Sequence, residues 1–279
     1  MPNLPEYLKD IPGPSETTDW LTCPTLWRLK QEWTEPGEWK PYIDMGHAVD
    51  KAFEGLLKTP PQSLQDSILE GVQHLEASYQ PNDDWGLDSL IQLLTKSVTK
   101  ASETTLKDIL ATEQVLATQL PLGYARPGHV TALDLLTLRG DLYVITDHKA
   151  RMTMKDQKWA DKEFLEIETD WQLWDYAWRV SEIYGTKNLA IRRHLGRFSP
   201  RVRWDLQEYL IKPTVLEQWA RRAGSTWIDI NVARKRPGRG VTMNLTQCLA
   251  GRYGKCKFFD FCHTAEGDPE KAKTFYAHK

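Results

Sequence analysis

The sequence predicts an α/β fold, a mixed sheet with helices packed on it. Two observations predict this. Apolar residues recur at helical spacing through the first third of the chain and again over 169–184, whereas 113–146 and 188–211 alternate and are rich in β-branched and aliphatic residues. The two kinds of segment come in the order helices, strand cluster, helix, strands, helix, which builds a sheet covered by helices.

Taken in order, residues 1–20 read as an irregular Pro-rich lead-in. Thr22 is placed to cap a short helix carrying Leu26, Trp27 and Leu29, with Pro24 near its start. Residues 44–57, 63–79 and 87–110 have helical apolar periodicity, the last two separated by Pro81-Asn82-Asp83-Asp84. Residues 113–120, 129–138 and 142–146 read as strands, with Arg139-Gly140-Asp141 as a tight hairpin turn. A charged loop or flap is expected over 150–168, a helix over 169–184, strands over 188–194 and 201–211, and a helix over 214–232 just after Pro213. There is no internal repeat. The whole of 1–279 reads as one domain, with a helical part (22–110), an α/β core (111–212) and a helix with a cysteine-rich cap (213–279).

Charge narrows the function. Lys and Arg number 36 against 38 Asp and Glu, for a net charge of −2, which excludes a globally basic nucleic-acid coat but not a local basic face. No run of roughly 18 apolar residues is present, so no membrane span is expected. Residues 1–20 lack the basic start and apolar core of a secretory signal, so a cytoplasmic location, or a nucleoid or virus-associated intracellular one, is expected. In such a reducing compartment the four cysteines suit metal binding better than disulfides.

The sharpest chemical signal is Asp134 together with Asp147-His148-Lys149. Each acid ends or interrupts an apolar strand, and carboxylates on two strands of a hairpin can converge. Two hard oxygen donors suit Mg²⁺ or Mn²⁺. Lys149, two residues after Asp147, shares its strand face and can orient or help deprotonate an attacking water. Gln172 and Tyr176 stand at i and i+4 on one helix face, able to position a phosphate or base, while Trp171, Trp174 and Trp178 form another, buried face. Taken singly, Asp-x-Lys or a polar pair on an amphipathic helix is common.

In that order, Asp134, Asp147-His148-Lys149 and Gln172-Leu173-Trp174-Asp175-Tyr176 resemble the PD-(D/E)XK (restriction-endonuclease-like) nucleases, in particular the RecB/AddB-like branch. The resemblance implies catalytic roles for these residues and a supporting acid at Glu113. It also implies a metal ligand on an early helix, where the branch carries Gly-x-x-x-His. This sequence reads Gly46-His47-Ala48-Val49-Asp50 there, with Glu54 in register, so Asp50 occupies the histidine position and His47 sits one turn earlier. Asp50 is the favoured ligand and His47 its rival.

Cys23, Cys248, Cys256 and Cys262 form one upstream cysteine and a Cys-x7-Cys-x5-Cys tail. Four thiolates can ligate a [4Fe-4S] cluster or a structural zinc, and the short Cys-x-x-Cys hooks usual for zinc are missing. The layout resembles the iron–sulfur cap of AddB-like and CRISPR-associated spacer-acquisition exonucleases. Such a cluster would tie the start of the chain to its end.

Arg192, Arg193, Arg197, Arg201 and Arg203 cluster in one strand pair, with Arg221, Arg222, Arg234, Lys235, Arg236 and Arg239 following. Interleaved Phe198, Trp204 and Tyr209 are placed to stack bases, so a DNA path is expected here. The resemblance therefore implies a metal-dependent DNA nuclease, an exonuclease on single-stranded or end-processed DNA, serving repair, recombination, CRISPR adaptation or viral DNA metabolism. A helicase, recombinase or CRISPR integrase is the expected partner, since no Gly-Lys-Ser/Thr phosphate loop supplies a motor. The alternative is a catalytically inactive, iron–sulfur-stapled DNA-binding subunit.

Overall fold

A computed structural model of the chain describes residues 11–34, 41–80, 86–126, 129–151, 166–198 and 201–235, together with 258, 262 and 277–278. The helices are α1 (Pro14–Thr22), α2 (Pro24–Glu32), α3 (Pro41–Leu57), α4 (Leu64–Ser78), α5 (Leu87–Glu103), α6 (Thr105–Thr112), α7 (Trp171–Tyr184) and α8 (Pro213–Arg234). The strands are β1 (Trp33–Thr34), β2 (Gln114–Arg126), β3 (His129–Arg139), β4 (Leu142–Arg151), β5 (Leu189–Arg197), β6 (Arg203–Leu210) and β7 (Ala277–His278), with a 3₁₀ turn at Glu166–Thr169.

The lead-in is not irregular throughout: α1 begins at Pro14. Proline disfavours a helix interior but suits its first turn, where its missing N–H has no partner to lose. The expected helix over 87–110 is broken at Thr104. Ser102 and Thr104 turn their hydroxyls back onto the carbonyls of Thr99 and Lys100, an alternative to helical pairing, and the chain restarts at Thr105. Elsewhere local chemistry and outcome agree. Ser63 caps α4 by accepting from Asp66 N–H, and Gly140 supplies φ 64° in the β3–β4 turn.

The main sheet has five strands in the order β2-β3-β4-β5-β6. Neighbours are antiparallel except β4 and β5, which run parallel from Tyr143↔Leu189 to Arg151↔Arg197. That pairing carries β4 beyond Thr146, so Asp147-His148-Lys149 lies inside a strand and not at its end. The parallel crossover between β4 and β5 is made by α7, as such connections require.

One core packs Met45, Val49 and Phe53 of α3 with α4–α6, Leu135, Phe198 and Trp204. The other packs Leu173, Trp174 and Val180 of α7 with Leu133, Ile145, Ile191 and Leu216. The sheet is thus covered on both faces, and β5, its parallel strand, is buried along its whole length. Separately, β1 pairs antiparallel with β7, so residues near the two ends of the chain meet. No helix among the described residues is long and apolar enough to cross a membrane.

Candidate active site

The site forms where β3 and β4 part. Their register runs from Arg139↔Leu142 to Leu135↔Thr146 and stops there. Leu133 packs in the α7–α8 core, but Leu135 packs in the α3–α6 core. Residues two apart in a regular strand share a face, so β3 turns over at Asp134. Opposite it in the β2 register, between Thr118↔Leu135 and Leu120↔Leu133, Gln119 takes a left-handed φ of 48°. The backbone N–H of His148, left without a β3 carbonyl, donates to Asp134 Oδ2 at 2.8 Å. A side-chain carboxylate thus takes over from the ladder where the ladder ends.

Asp147 is 1% exposed. Its Oδ1 accepts from Lys149 Nζ at 2.8 Å, while Oδ2 has no hydrogen bond and faces Arg193 Nε at 3.3 Å. Burial alone would raise the Asp147 carboxyl, but Lys149 and Arg193 outweigh it and hold it below the usual value. Burial likewise works against a charged Lys149, but Asp147 and Asp134 overcome it and hold the ammonium above its ordinary range. Lys149 is therefore charged at neutral pH and can orient a water or offset negative charge.

Asp134 has the opposite balance. Burial, then repulsion by Asp147, pushes it up to about 7. Burial and Asp134 likewise raise Asp50 well above a normal carboxyl. Asp50 reaches the cluster because Phe53, one turn later on α3, packs edge-on against the His148 ring at 5.0 Å. On the other side Gln172 Nε2 donates to Tyr176 Oη at 2.7 Å. Tyr176 is buried, and burial followed by the negative charge of Asp147 and Asp134 raises its phenol well above normal. It remains a neutral donor.

Asp50, Asp134, Asp147, Lys149, Gln172 and Tyr176 thus come together from α3, β3, β4 and α7. No group of three or more His, Cys, Asp or Glu side chains among the described residues is already drawn into a metal-ligating arrangement. The donor set nevertheless suits a hard divalent cation. Three carboxylates repel one another in a buried place, and one carboxylate oxygen there is spent on no hydrogen bond.

Other expected site residues lie elsewhere. His47 is exposed and packs against the His74 ring of α4, at 6.0 Å, so Asp50 and not His47 shares the acidic cluster. Glu113 ends α6 at the hairpin end of the sheet, where it accepts from Arg192 and Thr137. The β2–β3 register sets the next residue, Gln114, beside Leu138, four residues along β3 from Asp134, or roughly 14 Å. Arg192 and Arg197 are buried and bonded to Glu113 and Glu208, and to Asp205. They hold the sheet together instead of lining a surface path. Arg193 is buried against Asp147 and Asp170. Arg201 and Arg203 do face solvent, Arg203 beside Asp205. Phe198 and Trp204 belong to the α3–α6 core, so they are not stacking surfaces for bases. Cys23 is buried at the junction of α1 and α2, and Cys262 is half-buried. Cys248 and Cys256 lie outside the described residues, as do Arg236 and Arg239.

Two contributors were not read from the sequence. Asp170 caps α7, accepting from Gln172 N–H at 2.8 Å and Leu173 N–H at 3.3 Å. Its position before an apolar helix was the available signal. His194 pairs with His148 through their Nδ1 atoms, 2.9 Å apart, and with Thr105 Oγ1 at 2.7 Å. Burial pushes His148 down to about 4 and His194 well below its usual range, so both rings are neutral.

The five-stranded mixed sheet flanked by helices is a fold shared with a solved protein. A candidate exonuclease from Eubacterium rectale superposes with a TM-score of 0.52 at 15% identity, covering 89% of each chain. LHK-Exo, solved in complex with dAMP, is a more distant neighbour, with a TM-score of 0.31 and 11% identity over 69% of this chain and 94% of that one. No protein-family model matches the sequence, and no curated protein matches it.

Proposed function

We propose that the protein is a divalent-cation-dependent nuclease that hydrolyses phosphodiester bonds in DNA, acting as an exonuclease on single-stranded or end-processed DNA. The observation that carries this reading is the convergence of Asp50, Asp134 and Asp147 around a charged Lys149 at the end of the β3–β4 ladder. The name of the Eubacterium rectale neighbour agrees with it.

Asp134 and Asp147, with Asp50 as third donor, would hold Mg²⁺ or Mn²⁺. When bound, the cation supplies positive charge at the scissile phosphate and makes water a better nucleophile. Lys149, kept protonated by the acids beside it, orients the attacking water and offsets charge developing on the phosphate. Gln172 occupies the Tyr176 oxygen as donor, which leaves the phenolic proton to be given to a phosphate oxygen of the bound strand. The surface arginines Arg201 and Arg203 contribute to DNA binding.

Cys23, Cys248, Cys256 and Cys262 would hold a [4Fe-4S] cluster that ties the chain ends, with structural zinc the other occupant their chemistry suits. The pairing of β1 with β7 supports a closure of this kind, since it brings residues 33–34 beside 277–278. Near-equal iron and acid-labile sulfide in protein purified without oxygen is the expected analysis; zinc without sulfide would replace the cluster.

The test is cleavage of end-labelled linear single-stranded DNA against its circular form, with Mn²⁺ or Mg²⁺. Loss of the linear substrate alone is expected. Loss of both makes the enzyme an endonuclease. No cutting by metal-supplied protein overturns the reading in favour of an inactive DNA-binding subunit.

A further inference from the structure

We infer that Arg193 is a positioning residue that locks the metal-binding carboxylate of β4 to the N-terminus of the helix carrying Gln172 and Tyr176. The inference rests on the nuclease reading above.

Arg193 stands directly beside Asp147 in the parallel β4–β5 register. Its side chain is 3% exposed, so its charge must be answered within the protein. Among the described residues, two carboxylates answer it. Nε faces Asp147 Oδ2 at 3.3 Å, and an Nη2 hydrogen bond goes to Asp170 Oδ2. The other oxygen of Asp170 is already committed, accepting from Gln172 N–H and Leu173 N–H at the start of α7. One planar guanidinium therefore spans from β4 to the cap of α7. Its two ends meet different elements, and both elements deliver site residues.

The geometry at Asp147 has a second consequence. The Arg193 contact is an ion pair outside hydrogen-bond geometry, and Asp147 Oδ2 accepts no hydrogen bond. Arg193 therefore holds the carboxylate in place without using the oxygen that a cation would need. Lys149 fixes the other oxygen at 2.8 Å. Together the two cations fix the orientation of the carboxyl plane. Lysine at 193 would keep the charge but not the fork, and would reach only one of the two acids.

Electrostatics alone and positioning predict opposite results, and that makes the inference testable. If Arg193 only supplied positive charge near the acids, its removal would tighten divalent-cation binding. If it holds Asp147 in place, its removal weakens binding, by roughly the ten- to hundredfold typical of residues that orient metal ligands.

The experiment measures Mn²⁺ binding to the full-length protein by electron paramagnetic resonance, beside cleavage kinetics. The variants are R193Q, R193K and D170N. Asn caps a helix about as well as Asp, so D170N keeps α7 capped while removing the charge that anchors Arg193, and it serves if R193Q fails to fold. The expected result is weaker Mn²⁺ binding in R193Q, a smaller loss of several-fold in D170N, and partial recovery in R193K. Cleavage should recover in part at high Mn²⁺. Tighter or unchanged Mn²⁺ binding in both R193Q and D170N overturns the positioning role while leaving the nuclease reading intact. Wild-type protein that binds no Mn²⁺ overturns the metal reading itself, and this inference with it.

Discussion

The carboxylate of Asp134 accepts the backbone N–H of His148 at 2.8 Å, one residue beyond the last β3–β4 pair. This bond joins fold to site. It satisfies a donor that the diverging strands would otherwise strand, and it fixes Asp134 beside Asp147 and Lys149. An asparagine could make the same hydrogen bond but could not supply a charged oxygen.

Asp134→Asn is therefore expected to fold and not to cut. Cleavage should fall by at least about a hundredfold, the scale of losing one charge-stabilising group at a reacting centre. Burial and Asp147 both oppose the charge on Asp134, so its removal relieves the metal-free protein. The melting temperature in EDTA at pH 8 should hold or rise by a few degrees, about the response of a chain this size to 1 kcal/mol. Retained cleavage would remove Asp134 from the site, and a collapse in melting temperature would make it structural.

The pH dependence follows from the same group. Asp134 keeps its proton up to about pH 7 in the folded chain, against an ordinary value of 3.8. Between these values the folded state holds more protons than the unfolded one, so this group lowers metal-free stability as pH rises from about 4 to about 7 and changes nothing beyond. Mn²⁺ competes with that proton. The Mn²⁺-induced rise in melting temperature should grow across the same window and level off above it. An equal rise at pH 5.5 and pH 8 would contradict the assignment.

His148 and His194 carry the opposite dependence. Burial holds His148 near 4 against an ordinary 6.5, and His194 is lowered further by the His148 charge. A buried ring that resists protonation contributes stability above pH 6.5 that is lost as pH falls through about 4. For His148 this amounts to on the order of 3 kcal/mol. Ring proton resonances in NMR should show both histidines neutral down to about pH 5. A normal midpoint for His148 would mean that water reaches the pair.

The sequence carried most of this architecture, and the reasons for the exceptions are specific. Lys149 beside Asp147 and the Gln172–Tyr176 pair were legible because strand and helix periods place each pair on a shared face, whereas the approach of Asp134 depends on β3 turning over. The role proposed for Asp50 rests on register along α3, and Phe53, one turn on, packs against His148. The arginines of β5 misled. A charge cluster in sequence suggests a surface, but β5 is the buried parallel strand, where Arg192, Arg193 and Arg197 each meet an acid of another element. No local pattern reports partners 79 or 23 residues away. Glu113 was misplaced for the same reason: it matched an expected order of acids, but its charge is spent on Arg192.

Gly196 offers a test of how tightly the helical core supports this edge of the sheet. A Cβ at Gly196 would lie 2.5 Å from Trp204 Cζ2 and 2.6 Å from Cη2, too close for any pair of carbons. Trp204 cannot easily swing aside. Its indole N–H is shared between the Ser97 carbonyl at 3.0 Å and hydroxyl at 3.2 Å, and its ring packs on His194 at 4.3 Å and Phe53 at 5.0 Å. Gly196→Ala should cost about 1–3 kcal/mol in chemical denaturation, the usual range for overpacking. Trp204→Leu alone should cost about 3 kcal/mol or more through the cavity it opens. In the double variant the new methyl fills part of that cavity, so its loss should fall short of the sum of the two by at least about 1 kcal/mol. Strict additivity would show that the indole yields to the methyl and that glycine is dispensable at this position.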